Sequence, residues 1–136
     1  MDRLLFDAVD LWTTTPPYRH YPCETIHNRL MPAFYFGKLF GLYDDEGVLR
    51  GFASWAFMTR TEFLSRDYWG WEIFARDGGE MLVVVDMIAP GGKNDVLCLC
   101  RNLRALFKDR YPHVKTAYAH RGPRNGVFLR RGDERC

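Results

Sequence analysis

Residues 80–112 read EMLVVVDMIAPGGKNDVLCLCRNLRALFKDRYP, and the change of period inside them decides the fold. The branched apolar run from Leu82 to Val85 predicts a strand buried on both faces, near the centre of a sheet. After the glycine loop Gly91-Gly92-Lys93-Asn94, the apolar positions move to spacings of three and four. Val96, Leu99, Cys100, Leu103, Leu106 and Phe107 then line one face of an amphipathic helix. Asn94 or Asp95 is the expected cap, and Pro112 ends the segment. Arg101, Arg104, Lys108 and Arg110 take other faces, partly in the last turns, where cations suit the helix dipole.

Outward from this unit the signals alternate. Toward the N-terminus, Leu4, Leu5, Ala8, Val9 and Trp12 have helical spacing, with Asp2 as a plausible cap. Pro16 and Pro17 stop that helix. TPPYRHYP (15–22) reads as an irregular loop held by its prolines, rich in Tyr, Arg and His and suited to hold chemistry. A second helix is expected from Cys23 to Met31, ended by Pro32. KLFGLY (38–43), DDEG (44–47) and VLRGFASWAFM (48–58) predict a hairpin around a tight turn. Residues 61–74 fit a short helix followed by a strand, and Asp77-Gly78-Gly79 a turn. VKTAYAHR (114–121) reads as a strand, RGPRNG (121–126) as a turn and VFLR (127–130) as a short final strand. The class is α+β, with a mostly antiparallel central sheet flanked by helices. A length of 136 residues, without linker or repeat, fits a single domain spanning 1–136.

Composition narrows the function. Apolar residues make up 47% and charged residues 26%, which is globular usage rather than disorder. Aromatics reach 15%, a surplus that suits pockets or interfaces. No apolar run approaches the roughly 20 residues of a membrane-spanning helix. Acids at Asp2, Asp7 and Asp10 argue against a secretory signal, so a cytoplasmic protein is expected. Cys23, Cys98, Cys100 and Cys136 form no Cys-x-x-Cys pair, so no metal site and no bound cofactor are expected, and the thiols read as reduced and structural. Charge is lopsided: residues 1–100 carry a balance of −5 and residues 101–136 one of +7. A basic end suggests an anionic partner. Nucleic acid ranks last among these, since no recognition helix or RNA-binding signature accompanies the charge.

Four features are candidates for chemistry. Asp86 interrupts the apolar strand just before Ile88-Ala89-Pro90, and a carboxylate there is costly unless paired, hydrogen-bonded or used. It reads equally as a functional group and as a strand-end cap. Gly91-Gly92 precede a helix, where backbone amides can hold a phosphate, although plain loop-to-helix junctions are commoner and no Walker or dinucleotide spacing is present. Among the histidines His20, His27, His113 and His120, His20 stands out by its neighbours Tyr18, Arg19 and Tyr21. Cys23 carries no mark of a nucleophile.

Several segments together resemble the toxin-activating lysine acyltransferases, the haemolysin-activating family, a divergent branch of the GNAT superfamily. The segments are LWTTTPPYRHYP (11–22), MPAF (31–34), GFASWAFM (51–58), VVDMIAPGG (84–92) and RNGVFLRRG (124–132), in the family's order. Ser54-Trp55 and the aspartate before Ile-Ala-Pro are the most specific. The resemblance implies a GNAT-like fold, often dimeric and needing no metal. It also implies transfer of an acyl group from acyl carrier protein, or less readily coenzyme A, to an internal lysine of a protein acceptor. The family's catalytic aspartate falls on Asp86, and its basic region, here 101–136, would meet the acidic carrier protein.

One position departs from the family. Where it has a catalytic histidine before the arginine of the first loop, this chain has Tyr18 before Arg19, and a histidine two residues on at His20. His20 substitutes for it, or Tyr18 donates a proton to the leaving thiol, or the site is catalytically dead. In the enzyme reading, Arg19, Ser54, Trp55, Gly91 and Gly92 help bind the substrates, and Asp86, His20 and Tyr18 carry the chemistry. The alternative is a degenerate acyltransferase-like binding or inhibitor protein of a mobile element acting on a host protein. Its aromatic contact surface would be Tyr18, Tyr21, Trp55, Trp69 and Trp71.

Overall fold

The computed structural model describes residues 3–16, 18–66, 70–121 and 124–130. Five strands form one sheet in chain order: β1 (Leu39–Tyr43), β2 (Leu49–Met58), β3 (Met81–Ile88), β4 (Thr116–Arg121) and β5 (Arg124–Arg130). All neighbouring pairs are antiparallel except β3 and β4, which run parallel. A parallel pair needs a crossover, and α5 (Lys93–Arg110) supplies it. The remaining helices are α1 (Arg3–Thr14), α2 (Cys23–Tyr35), α3 (Arg60–Ser65) and α4 (Gly70–Ala75), with a 3-10 turn at Tyr18–His20. The class is α+β, with a mostly antiparallel sheet flanked by helices, as the sequence predicts. Among the described residues no helix is long and apolar enough to cross a membrane.

Two cores lie on opposite faces of the sheet. On one, Trp12 of α1, Leu30 and Ala33 of α2 and Phe74 of α4 pack against Phe52, Ala56, Val83 and Ile88. On the other, Leu99, Leu103 and Phe107 of α5 cover Trp55, Phe57, Leu82 and Val84. Covered on both sides, β3 needs apolar residues at successive positions, which explains the run from Leu82 to Val85. Buried Lys38 ties the sheet to α4: its ammonium donates to the carbonyls of Phe74 (2.6 Å) and Arg76. Cations at a helix C-terminus are favoured, although burial lowers the Lys38 pKa. The turn before β2 is held by Asp44, whose carboxylate accepts from the amides of Glu46 and Val48, both at 2.9 Å.

Three elements differ from expectation. Pro32 lies inside α2 rather than ending it. With Leu30, Pro32 and Ala33 all buried, packing on the sheet outweighs the missing amide donor. Arg60–Ser65 and Gly70–Ala75 are two short helices, not a helix and a strand. A capping box fixes the first: the Thr59 hydroxyl accepts from the Glu62 amide while Glu62 accepts from the Thr59 amide. Finally, the N-cap of α5 is Gly92, two residues before Asn94 and three before Asp95, at φ +116°, a backbone conformation open to glycine. The expected cap Asp2, the contact residue Trp69 and the thiol of Cys136 lie outside the described residues.

Phe107 packs edge-on against Trp55 at 5.3 Å and Phe128 at 5.9 Å. Phe107→Ala should lower the unfolding free energy by about 3–5 kcal/mol, whereas Arg101→Ala on the exposed face should change it by less than about 0.5 kcal/mol. Urea titrations measure both, and equal effects would contradict the placement of α5.

Candidate active site

Asp86 reaches its place through one extra residue. Ser54 pairs with Asp86 across the sheet and Trp55 with Val84, so Val85 is a β-bulge without a partner on β2. Before the bulge, Leu82 and Val84 pack in the α5 core; after it, Met87 takes that side and Ile88 joins the α1–α2 core. Unbroken alternation would turn Asp86 toward α5. The bulge turns it toward α2 instead, onto the face it shares with Ser54.

There Asp86 meets Arg29 of α2. The Arg29 Nη1 donates to both carboxylate oxygens, at 3.0 and 3.2 Å. The pair is largely sheltered, with 18% of the Arg29 and 13% of the Asp86 side chain exposed. Burial pushes the Asp86 carboxyl above the ordinary carboxylate range, and the charge and hydrogen bonds of Arg29 pull it part of the way back.

Tyr18 completes the cluster. Its ring packs edge-on against Trp12 at 6.0 Å, which fixes the 3-10 turn onto α1. Burial raises the Tyr18 pKa, with further contributions from the negative charge of Asp86 and from Tyr21. The phenol is therefore protonated over the physiological range, in the field of the carboxylate.

Both residues open into a cavity of about 440 Å³. Its position follows from the sheet: β3 and β4 pair only over Leu82–Val84 and Ala117–Ala119. Beyond Val84 the two parallel strands are no longer paired, and the gap between them is the cavity. Tyr18 and Asp86 line it with Leu97 and Cys100 of α5, His120 of β4 and Phe128 of β5. The gap thus joins the two faces of the sheet. Among the described residues no group of three or more His, Cys, Asp or Glu side chains is arranged to hold a metal ion.

The remaining sequence candidates are dispersed. Ser54 is fully buried beside Asp86 in the ladder, its hydroxyl without a hydrogen-bond partner among the described residues. Trp55 is fully buried on the opposite core, where its Nε1 donates to the Tyr111 hydroxyl at 2.9 Å. Arg19 and His20 are exposed and do not line the cavity. Gly91 and Gly92 lie exposed at the start of α5, and a Cβ at Gly91 would collide with the Asp95 carboxylate, which pairs with Arg50 at 3.1 Å.

Two cavity-side residues escape sequence reasoning. Arg29 carries a readable signal: with buried Ile26, Leu30 and Ala33 it falls on the sheet-facing stripe of α2, where a cation needs a partner. His120 stacks on Phe63 at 4.5 Å, its Nδ1 lies 2.8 Å from the Asn125 Oδ1, and burial lowers its pKa. Only the divergence of β3 and β4 brings it to the cavity.

The family model for RTX toxin acyltransferases matches residues 2–128, nearly the whole chain. The chain belongs to the RTX toxin acyltransferase family. No curated protein matches it. The sheet with its flanking helices agrees with a GNAT-like acyltransferase fold.

A carboxyl that holds its proton more tightly in the fold than in the unfolded chain loses stabilising effect as pH rises. Removing Arg29 raises the Asp86 pKa further and strands a buried charge at neutral pH. Arg29→Leu should therefore cost about 3–5 kcal/mol at pH 7 and progressively less toward acid, where Asp86 is neutral. Urea unfolding across a pH series checks this, and a pH-independent cost would contradict the pairing.

Proposed function

We propose that this family member transfers an acyl group from the thioester of an acyl carrier protein, or less readily of coenzyme A, to the side-chain amine of a lysine in a protein acceptor. The observation that carries the reading is a sheltered carboxylate of raised proton affinity, Asp86, opening beside Tyr18 into the gap between the parallel strands of a chain in an acyltransferase family.

A lysine amine is protonated at neutral pH, with an ordinary pKa of about 10.4, and attacks only after losing that proton. Asp86 takes the proton, and a carboxyl raised by burial accepts it more readily than a surface one. The amine nitrogen then attacks the thioester carbonyl carbon; the C–N bond forms, the C–S bond breaks, and the sulfur leaves as thiolate. Tyr18, kept protonated by burial and by Asp86, donates its proton to that sulfur. As the amide forms its nitrogen sheds a second proton to solvent, and Asp86 returns its own proton to the phenolate when the products leave.

His20 takes over part of this work if the 3-10 turn moves toward the cavity. Of the other candidates, exposed Arg19 is assigned to substrate binding, buried Ser54 and Trp55 support the sheet beneath the reacting groups, and Gly91 and Gly92 do not line the cavity. Because the gap opens to both faces, donor and acceptor approach from opposite sides. This geometry supports direct transfer and needs no covalent enzyme intermediate.

Purified protein is incubated with acyl carrier protein and coenzyme A thioesters plus a lysine-bearing peptide, and donor and peptide masses are followed. Wild type should deplete donor and add the acyl mass to peptide. Asp86→Asn should slow transfer by about 10²–10⁴-fold, the usual reach of positioned acid-base groups. Tyr18→Phe should slow it less, with its loss concentrated in thiol release. Full activity in Asp86→Asn would overturn the assignment; no consumption of any donor by wild type would favour a binding protein on the same fold.

A further inference from the structure

We infer that a buried water sits behind Asp86, shared with the Trp12 indole and the Ser54 hydroxyl. It accepts from the indole N–H, donates to the carboxylate and the hydroxyl, and holds the carboxylate in position for proton transfer. The water site stands on the structure alone; only its service to catalysis rests on the acyl-transfer reading.

Two fully buried side chains have a polar atom without a hydrogen-bond partner among the described residues: Trp12 at its Nε1 and Ser54 at its Oγ. Leaving such atoms unsatisfied is costly, and native folds supply them with protein groups or internal water. Both residues surround one spot. Trp12 stacks on Phe52 at 6.2 Å and stands edge-on to Tyr18 at 6.0 Å. Phe52 and Ser54 are two residues apart on β2 and share a face. Ser54 pairs with Asp86 across the ladder, and Asp86 lines the same cavity as Tyr18. Trp12, Tyr18, Asp86, Ser54 and Phe52 thus close a ring, and both unsatisfied atoms belong to it.

The chemistry of the ring selects the occupant. An indole N–H only donates, an ionised carboxylate only accepts, and a hydroxyl does either. Among the described residues Asp86 accepts from Arg29 alone, which leaves its oxygens further lone pairs. One water accepts from Trp12 and donates to the other two, the three hydrogen bonds usual for an internal water. Chloride would be repelled by the carboxylate, and a metal cation would meet the indole N–H and the Arg29 guanidinium. Trp12 and Ser54 do not line the cavity, so substrate meets Asp86 from the open side and the water stays behind it.

The charged and titratable groups around Asp86 are Arg29 of α2, Tyr18 on the 3-10 turn, Cys100 and Arg104 of α5 and His120 of β4. The water adds a donor that favours the ionised carboxylate without adding charge. It tempers the rise that burial imposes and fixes the carboxylate alongside Arg29.

The test uses full-length, isotope-labelled protein. In wild type, magnetisation should pass from water to the Trp12 indole proton with NOE and ROE of opposite sign, as a long-lived water gives and chemical exchange does not. The Asp86 carboxyl is then titrated by carbon-13 in wild type, Ser54→Ala, Trp12→Phe and the double variant, with folding checked by circular dichroism. Each single change should raise the midpoint, by up to about one unit or tenfold in acidity. The double change should raise it no further than the larger single one, because both act through one water. Should Trp12→Phe not fold, Ser54→Ala alone carries the titration. Absence of a water contact at the indole proton overturns the site. Unmoved midpoints, or shifts that add in the double variant, overturn the shared water even if the protein transfers acyl groups. A water contact with the raised midpoint supports the site even if no donor is consumed, and then it is the catalytic reading that fails.

Discussion

The extra residue in β3 is the constraint on which the site depends. A strand in the middle of a two-faced core has no place for a carboxylate, because each side chain points into one apolar layer or the other. Val85 breaks the alternation at one point, and the residue after it turns onto the face where α2 offers Arg29. The same half of the strand is unpaired with β4, so the turned carboxylate borders a gap rather than a packed ladder. Bulge, buried cation and strand divergence form one device: the first aims Asp86, the second compensates its charge, the third gives it space.

The opposite faces of the sheet then acquire different tasks. The side of α1 and α2 carries the ionisable cluster, with Tyr18 held against Trp12. The side of α5 carries aromatic, aliphatic and cationic residues. The gap joins them, and its walls are mostly apolar, so charges inside it are little screened. That setting raises the proton affinity of both the Asp86 carboxylate and the Tyr18 phenolate above that of surface groups.

Much of this was legible in the sequence. The buried centre strand, the hairpin around Asp44–Gly47, the helix carrying Leu99, Leu103 and Phe107 and the oddity of Asp86 all follow from period and composition. The bulge did not announce itself, because Val85 is as good a strand residue as its neighbours and no glycine marks the irregularity. Pro32 misled because its local cost was weighed without the packing that outweighs it. Residues 61–74 misled because aromatic residues serve helix and strand alike, and only the Thr59–Glu62 capping box decides between them. His120 was one histidine among four until tertiary structure carried it to the gap. Arg29 was readable in principle, as a cation on an apolar stripe.

The measurement that bears most directly on this account is a carbon-13 titration of the Asp86 carboxyl in isotope-labelled protein, repeated in Arg29→Gln. Asp86 should titrate above the ordinary value of about 3.9 for aspartate, and higher still without the guanidinium. A midpoint at or below that value, unmoved by Arg29→Gln, would mean a solvated, unpaired carboxylate and would contradict the site as described.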